Sequence, residues 1–314
     1  MSHTDERGEA RQYGTKSPSG EDAFPGKSSP ESRDPNPPIT SSTRAKAPAS
    51  EKALAWLNRF VLLAASMVGI VSFLFPFITP PAFSAQEITT HGSSHSSDAP
   101  LLLIIMIVLC LGAILSNLQS RRMNSKIVAV LGILTAINSV LRVVPGPAGF
   151  AAVFMLPILC GYAYGATFGF LLGALSLLVS ALLGAGVGPW LPFQMFTAGW
   201  VGMTSAWLPK IKRWPRVEIA ILATWGILWG LLFGALMNIW FWPYVYQPQD
   251  AGMYWQPNTG LLESLKRYTL FYATTSLWWD LGRAGGNFLL ILLFGTPVLR
   301  TLRRFGQRFR FETI

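Results

Sequence analysis

From Phe60 onward, apolar runs of about twenty residues alternate with short polar or Gly/Pro-rich breaks. The runs are roughly Phe60–Ile78, Leu101–Leu118, Ile127–Val144, Phe150–Tyr164, Phe168–Leu183, Trp190–Leu208, Val217–Trp242 and Leu277–Leu299. A run of that length with few charges predicts a transmembrane helix, because about 20 helical residues cross the hydrocarbon core. Eight spans are therefore expected, and with them an all-α polytopic membrane protein. The fourth run is the shortest. At about 1.5 Å per residue it gives roughly 22 Å against about 30 Å of hydrocarbon, so its neighbours must bury it or its ends must extend. Residues Tyr244 to Ser276 are aromatic and amphipathic and read as an interfacial helix or cap.

The charges orient these spans. Arg44, Lys46, Lys52 and Arg59 precede the first run, and the loop from Thr79 to Ala99 contains no Lys or Arg. Arg121, Arg122 and Lys126 follow the second run, the loop PKIKRWPR follows the sixth, and Arg300, Arg303, Arg304, Arg308 and Arg310 follow the eighth. Lys and Arg collect on the cytoplasmic side of membrane proteins. Eight spans with both termini cytoplasmic put every strongly basic segment on that side. Residues 1–52 are rich in Ser, Pro, Gly and mixed charge, so a disordered cytoplasmic tail is expected. Residues 53–125 hold two spans, 126–300 six more, and 301–314 a basic tail.

Composition agrees. Of 314 residues 51% are hydrophobic and only 13% charged, where soluble domains carry about a quarter. The net charge of +10 is accounted for by cytoplasmic loops, and no basic patch interleaved with aromatics points to nucleic acid. Cys110 and Cys160 fall inside apolar runs and read as buried thiols without a disulfide. There is no Walker A loop, no HExxH, no GxSxG and no pair of intramembrane carboxylates, so neither an enzyme nor an ion-driven pump is indicated, and no cofactor is called for. His91 and His95 are four apart in HGSSHSSD. That loop-like setting does not fix two imidazoles on one face, so a solvated loop is the plainer reading beside a metal site.

Polar residues gather at the predicted external ends. Asp280, Arg283 and Asn287 share one helical face at spacings of three and four. They are either an ion pair with a packing Asn, or part of a ligand site. Arg142, ahead of PGPAGF, either snorkels to headgroups or anchors a cavity mouth. In GVGPWLPFQ, Trp190 suits the interfacial belt, whereas Gln194, one turn into its helix, does not. Tyr254, Trp255 and Trp278 are belt residues or a lid that stacks on a planar ligand. On the third span, Ala129, Gly132 and Ala136 give a small-residue face, either for packing within the subunit or for docking another membrane protein.

Three stretches then carry a resemblance: VFMLPILCGYAYGATFGFLLGALSLLVSALL, GVGPWLPFQMFTAGWVG and WDLGRAGGNFLLILLFGTPVLRTLRRF. From Lys126 onward the chain resembles the substrate-binding S components of energy-coupling factor (ECF) transporters, the vitamin-uptake branch of ABC-type importers. The resemblance implies a six-helix S-component-like core with two extra N-terminal transmembrane helices. It implies capture of a small vitamin-like molecule at the external face, with release inside through a transmembrane coupling subunit and two cytoplasmic ATPases. By position it carries the substrate site to Arg142, Phe150, Trp190, Gln194, Asp280, Arg283 and Asn287. It carries the docking face to Ala129, Gly132 and Ala136, although Ile133 stands where a clean AxxxA pattern would place its second Ala. The aromatic external segment favours a large ligand. Two alternatives stay open: a self-sufficient secondary transporter, and a ligand-free membrane scaffold.

Overall fold

The computed structural model describes residues 49–78, 98–119, 125–143, 146, 150 and 152–310. The sequence readings made on residues 1–48, on the loop with His91 and His95, on Arg121 and Arg122, and on 311–314 lie outside the described residues. Those described fold as helices with no strand: α1 (Ala49–Ile78), α2 (Ala99–Gln119), α3 (Ser125–Val143), α4 (Met155–Tyr164), α5 (Ala166–Ser180), α6 (Leu191–Ser205), α7 (Pro215–Phe241), α8 (Leu261–Thr275) and α9 (Leu277–Arg310). Six of these elements are long and apolar enough to cross a membrane: α1, α2, α3, α5 with its continuation to Ala185, α7 and α9. The chain is an all-α polytopic membrane protein.

Two of the eight apolar runs form shorter helices than their length predicts. The run Trp190–Leu208 gives α6, 15 residues long, and Phe150–Tyr164 gives α4, only 10. For α4 the reason lies in the described residues just before it, 152–154, which are not helical. The Phe150 ring instead fills the space left by Gly286 of α9. The Asn138 side-chain amide donates to the Val153 carbonyl at 3.1 Å, and the Phe154 amide donates to Asn287 Oδ1 at 3.2 Å. Asn138 and Asn287 are both fully buried. Non-helical backbone at membrane depth is tolerated only where such partners replace its lost bonds. Two asparagines thus hold an irregular strand of chain inside the bundle.

Small residues set the helix seams. A Cβ on Gly202 of α6 would overlap the Gly169 carbonyl of α5, and one on Gly161 of α4 would overlap the Gly202 carbonyl. Three helices therefore meet nearly backbone to backbone. On α7, Gly226, Gly230 and Gly234 recur every four residues and face Asn287, Ala284 and Asp280 of α9. Without a hydrophobic driving force between helices in lipid, close packing of this kind carries the association.

The first two helices pack onto the remainder. Gly69 of α1 lets Trp200 of α6 approach, and the Trp200 indole donates to Ser66 Oγ at 3.1 Å. Phe73 meets Phe193 edge-on with centroids 5.1 Å apart. Met106, Cys110 and Ala113 of α2 are buried in the main core, and both cysteines of the chain are buried and free. Between α7 and α9, two 3-10 turns and α8 form a cap. Tyr268 and Tyr272 of α8 donate to the Ala235 and Leu231 carbonyls of α7, at 2.5 and 3.4 Å. Beneath the cap, Trp242, Tyr254, Trp255 and Phe271 make a separate aromatic cluster that reaches Phe77 of α1.

At the end of the bundle away from α8, one ionic network ties α4, α7 and α9. Arg303 donates to both oxygens of buried Glu218, at 3.0 and 2.6 Å. The Tyr162 hydroxyl donates to Glu218 Oε1 at 2.5 Å and lies 3.0 Å from the Pro209 carbonyl. An intramembrane carboxylate is costly unless it is paired in this way.

Candidate functional site

Because α4 begins late and α6 is short, the bundle is incompletely filled at the end nearer α8. A cavity of about 310 Å³ occupies the gap. The C-terminus of α3 contributes Arg142 and Val143, the segment before α4 contributes Val153, and α5 contributes Leu177. Gln194 comes from α6, Phe233 from α7 and Arg283 from α9.

The rim between α5 and α6 is a π turn, Ala181–Ala185, which also brings Gly184 and Ala185 to the cavity wall. Gly184 has φ +127° and Gly186 φ +87°, a region open to glycine and strained for other residues. The turn ends α5 abruptly and aims Ser180 back toward α3. Single π turns in α-helices often mark functional sites.

The two arginines are held differently. Arg142 donates from Nη1 to Ser180 Oγ and from Nη2 to Gln194 Oε1, both at 2.7 Å. Both partners are neutral. Ser180 is oriented in turn by donating to the Leu177 carbonyl at 2.9 Å. Arg283 is ion-paired with Asp280 one turn earlier on α9, and its guanidinium lies over the Phe233 ring, 5.2 Å from the centroid. Cation–π contacts at such distances are worth roughly 0.5–2 kcal/mol, more when dry. Asp280 is buried, and its second oxygen fits against the backbone at Gly234 with no hydrogen-bond partner among the described residues. Outside the spans, burial and the nearby Asp280 carboxylate push the Tyr272 phenol up to about 12, so it stays neutral at physiological pH.

The residues singled out in the sequence therefore separate. Arg142, Gln194 and Arg283 meet at one cavity, with Asp280 behind Arg283. Phe150 packs on Gly286, and Asn287 bonds the Phe154 amide and, at 2.9 Å, the Arg283 carbonyl. Trp190 folds over Gly188 and is 37% exposed. Tyr254 and Trp255 are buried in the aromatic cluster under the cap, whereas Trp278 is 76% exposed. Ala129, Gly132 and Ala136 lie together on an exposed face of α3 with Ile133, Ile137 and Val140. Two residues of the site escaped the sequence reading: Phe233 on the cavity wall, and Ser180, which lies behind the wall and holds Arg142. Ser176 and Ser180, four apart in an otherwise apolar helix, were a usable signal; Phe233 gave none among so many aromatics.

A helical membrane bundle with a small polar-lipped cavity has the form of a ligand-binding subunit. The chain belongs to the ECF transporter substrate-specific components: the family model of that description matches residues 126–295, which include every residue lining the cavity. It is thus a substrate-binding subunit of an ECF transporter and a multi-pass membrane protein. Helices α1 and α2 precede the matched region. Neither a curated protein nor a solved structure matches the chain.

Proposed function

We propose that this chain captures a small vitamin-like molecule in the α3–α5–α6–α7–α9 cavity, from the outside of the cell. It then passes that molecule inward through a transmembrane coupling subunit powered by two cytoplasmic ATPases. The observation that carries the reading is the enclosure of Arg142, Gln194 and Arg283 around one cavity within the family-matched region. An Arg in a membrane helix costs about 2.5–3.5 kcal/mol on insertion scales, so two at one cavity argue for use. The orientation follows from charge. Lys126, Lys210, Lys212, Arg213, Arg216, Arg300, Arg303 and Arg304 belong to the end opposite the cavity, which the positive-inside rule makes cytoplasmic. The chain itself has no nucleotide-binding loop, so ATP hydrolysis falls to its partners. The exposed small-residue face of α3, Ala129, Gly132 and Ala136, suits close approach of a coupling helix.

The test is mass spectrometry of small molecules released on denaturing the purified, detergent-solubilised protein. A stoichiometric compound, lost together with uptake in an Arg142→Ala/Arg283→Ala double variant, is expected. Protein that carries nothing, binds nothing and never co-purifies with ATPase subunits overturns the reading.

A further inference from the structure

We propose that the captured molecule is a monoanion: one carboxylate on a compact, largely apolar body, with the carboxylate gripped by Arg142 and Gln194. The proposal rests on the capture reading above and adds the chemistry of the ligand.

Charge balance around the cavity comes first. Asp280 already neutralises Arg283. Arg142 has Ser180 and Gln194 as its partners, and no carboxylate pairs with it among the described residues. Among the described residues the cavity therefore keeps one positive charge without a counter-ion, within a helical bundle where ions are rarely left unpaired.

Hydrogen-bond sense comes second. Gln194 Oε1 accepts from Arg142, which turns the amide nitrogen, a double donor, away from the guanidinium. No protein acceptor meets that nitrogen among the described residues. The carboxylate of Asp280 does not line the cavity; one oxygen serves Arg283 and the other is packed on Gly234. The charged and amide groups on the wall thus offer donors. Their complement is a group that only accepts, as an ionised carboxylate does. A phosphomonoester also accepts, but its charge of about −1.5 to −2 exceeds the single positive charge left over.

Size and wall chemistry come third. The rest of the lining is apolar, with Val143, Val153, Leu177 and Phe233. The volume of about 310 Å³ is at the low end of small-molecule pockets, roughly ten waters at about 30 Å³ each. It suits a body of roughly ten to fifteen non-hydrogen atoms. The aromatic segment that favoured a large ligand is occupied with its own packing under the cap.

The experiment uses the full-length protein in nanodiscs and three probes of similar length: 4-phenylbutyrate, its primary amide, and 2-phenylethyl phosphate. Affinity is read by isothermal titration. The acid is expected to bind at least tenfold more tightly than the amide and more tightly than the phosphate. Arg142→Gln should bring acid and amide within about twofold, and Arg142→Lys should restore part of the difference. Equal binding of acid and amide, or tighter binding of the phosphate, overturns the monoanion assignment; an acid preference that survives in R142Q overturns the grip by Arg142; each leaves capture standing. Should none of the probes bind, the compound released on denaturation decides: a single acid group upholds the assignment and a neutral or cationic compound overturns it. With neither probe binding nor released compound, capture itself fails and the assignment with it.

Discussion

Replacing Asn287 by Ala tests whether this residue is a structural lock or a ligand contact. Its carboxamide accepts from the Phe154 amide at 3.2 Å and donates to the Arg283 carbonyl at 2.9 Å, and it is fully buried. Phe154 is also fully buried, so its N–H has no water to fall back on. A buried donor left without an acceptor costs about 1–3 kcal/mol, and the second hydrogen bond adds about 0.5–1.5 kcal/mol. The expected loss is therefore about 2–4 kcal/mol. At about 2–4 °C per kcal/mol for chains of a few hundred residues, the unfolding midpoint should fall by roughly 5–15 °C. The protein carries its own reporters, since Cys110 and Cys160 are buried, at 1% and 0% exposure. A thiol-reactive maleimide dye in detergent reads unfolding as these cysteines become accessible. Asn287→Asp keeps an acceptor for Phe154 but brings a charge into the bundle, and should also be destabilised. An N287A protein whose midpoint stays within about 2 °C of the parent while ligand binding collapses would refute the lock and return Asn287 to the binding site.

Gly234→Val should push its side chain into the Asp280 carboxylate, break the Asp280–Arg283 pair and lower the midpoint, whereas Gly285→Ala, with open space at its Cβ, should be neutral or stabilising by up to about 1 kcal/mol. Glu218→Gln removes the charge that Arg303 clasps; with Arg303 about a third exposed, the cost should be about 1–3 kcal/mol in the same dye assay, and Tyr162→Phe should cost less. Gly132→Leu meets nothing within 4 Å and should leave stability within about 0.5 kcal/mol while abolishing co-purification with the coupling subunit; retained co-purification would remove α3 as the docking face. Gln194→Leu should leave Arg142 with Ser180 alone and weaken capture several-fold in titration, with the midpoint little changed.

Much of this protein could be read along one dimension. Run lengths, the spacing of basic loops and the lack of catalytic motifs depend on local composition, and lipid makes composition decisive by forcing apolar runs into helices. The face shared by Asp280, Arg283 and Asn287 was equally legible, since spacings of three and four fix neighbours on a helix. What spacing could not do was divide those three among tasks. Asp280 neutralises Arg283, Arg283 reaches the cavity, and Asn287 supports a strand of chain 133 residues earlier in sequence. That the fourth run falls short of a span was legible too, but its further shortening to the 10 residues of α4 was not, for the same reason. Whether residues 150 to 154 coil depends on Asn138 and Asn287 supplying the bonds a helix would have made internally. The cavity is the space this leaves, bounded by residues from five separate helices, the π turn and one irregular segment. Sequence determined that the chain crosses a membrane as helices and where charge is scarce. Tertiary packing decided which charges remain uncompensated, because a counter-ion is a neighbour in space and need not be one along the chain.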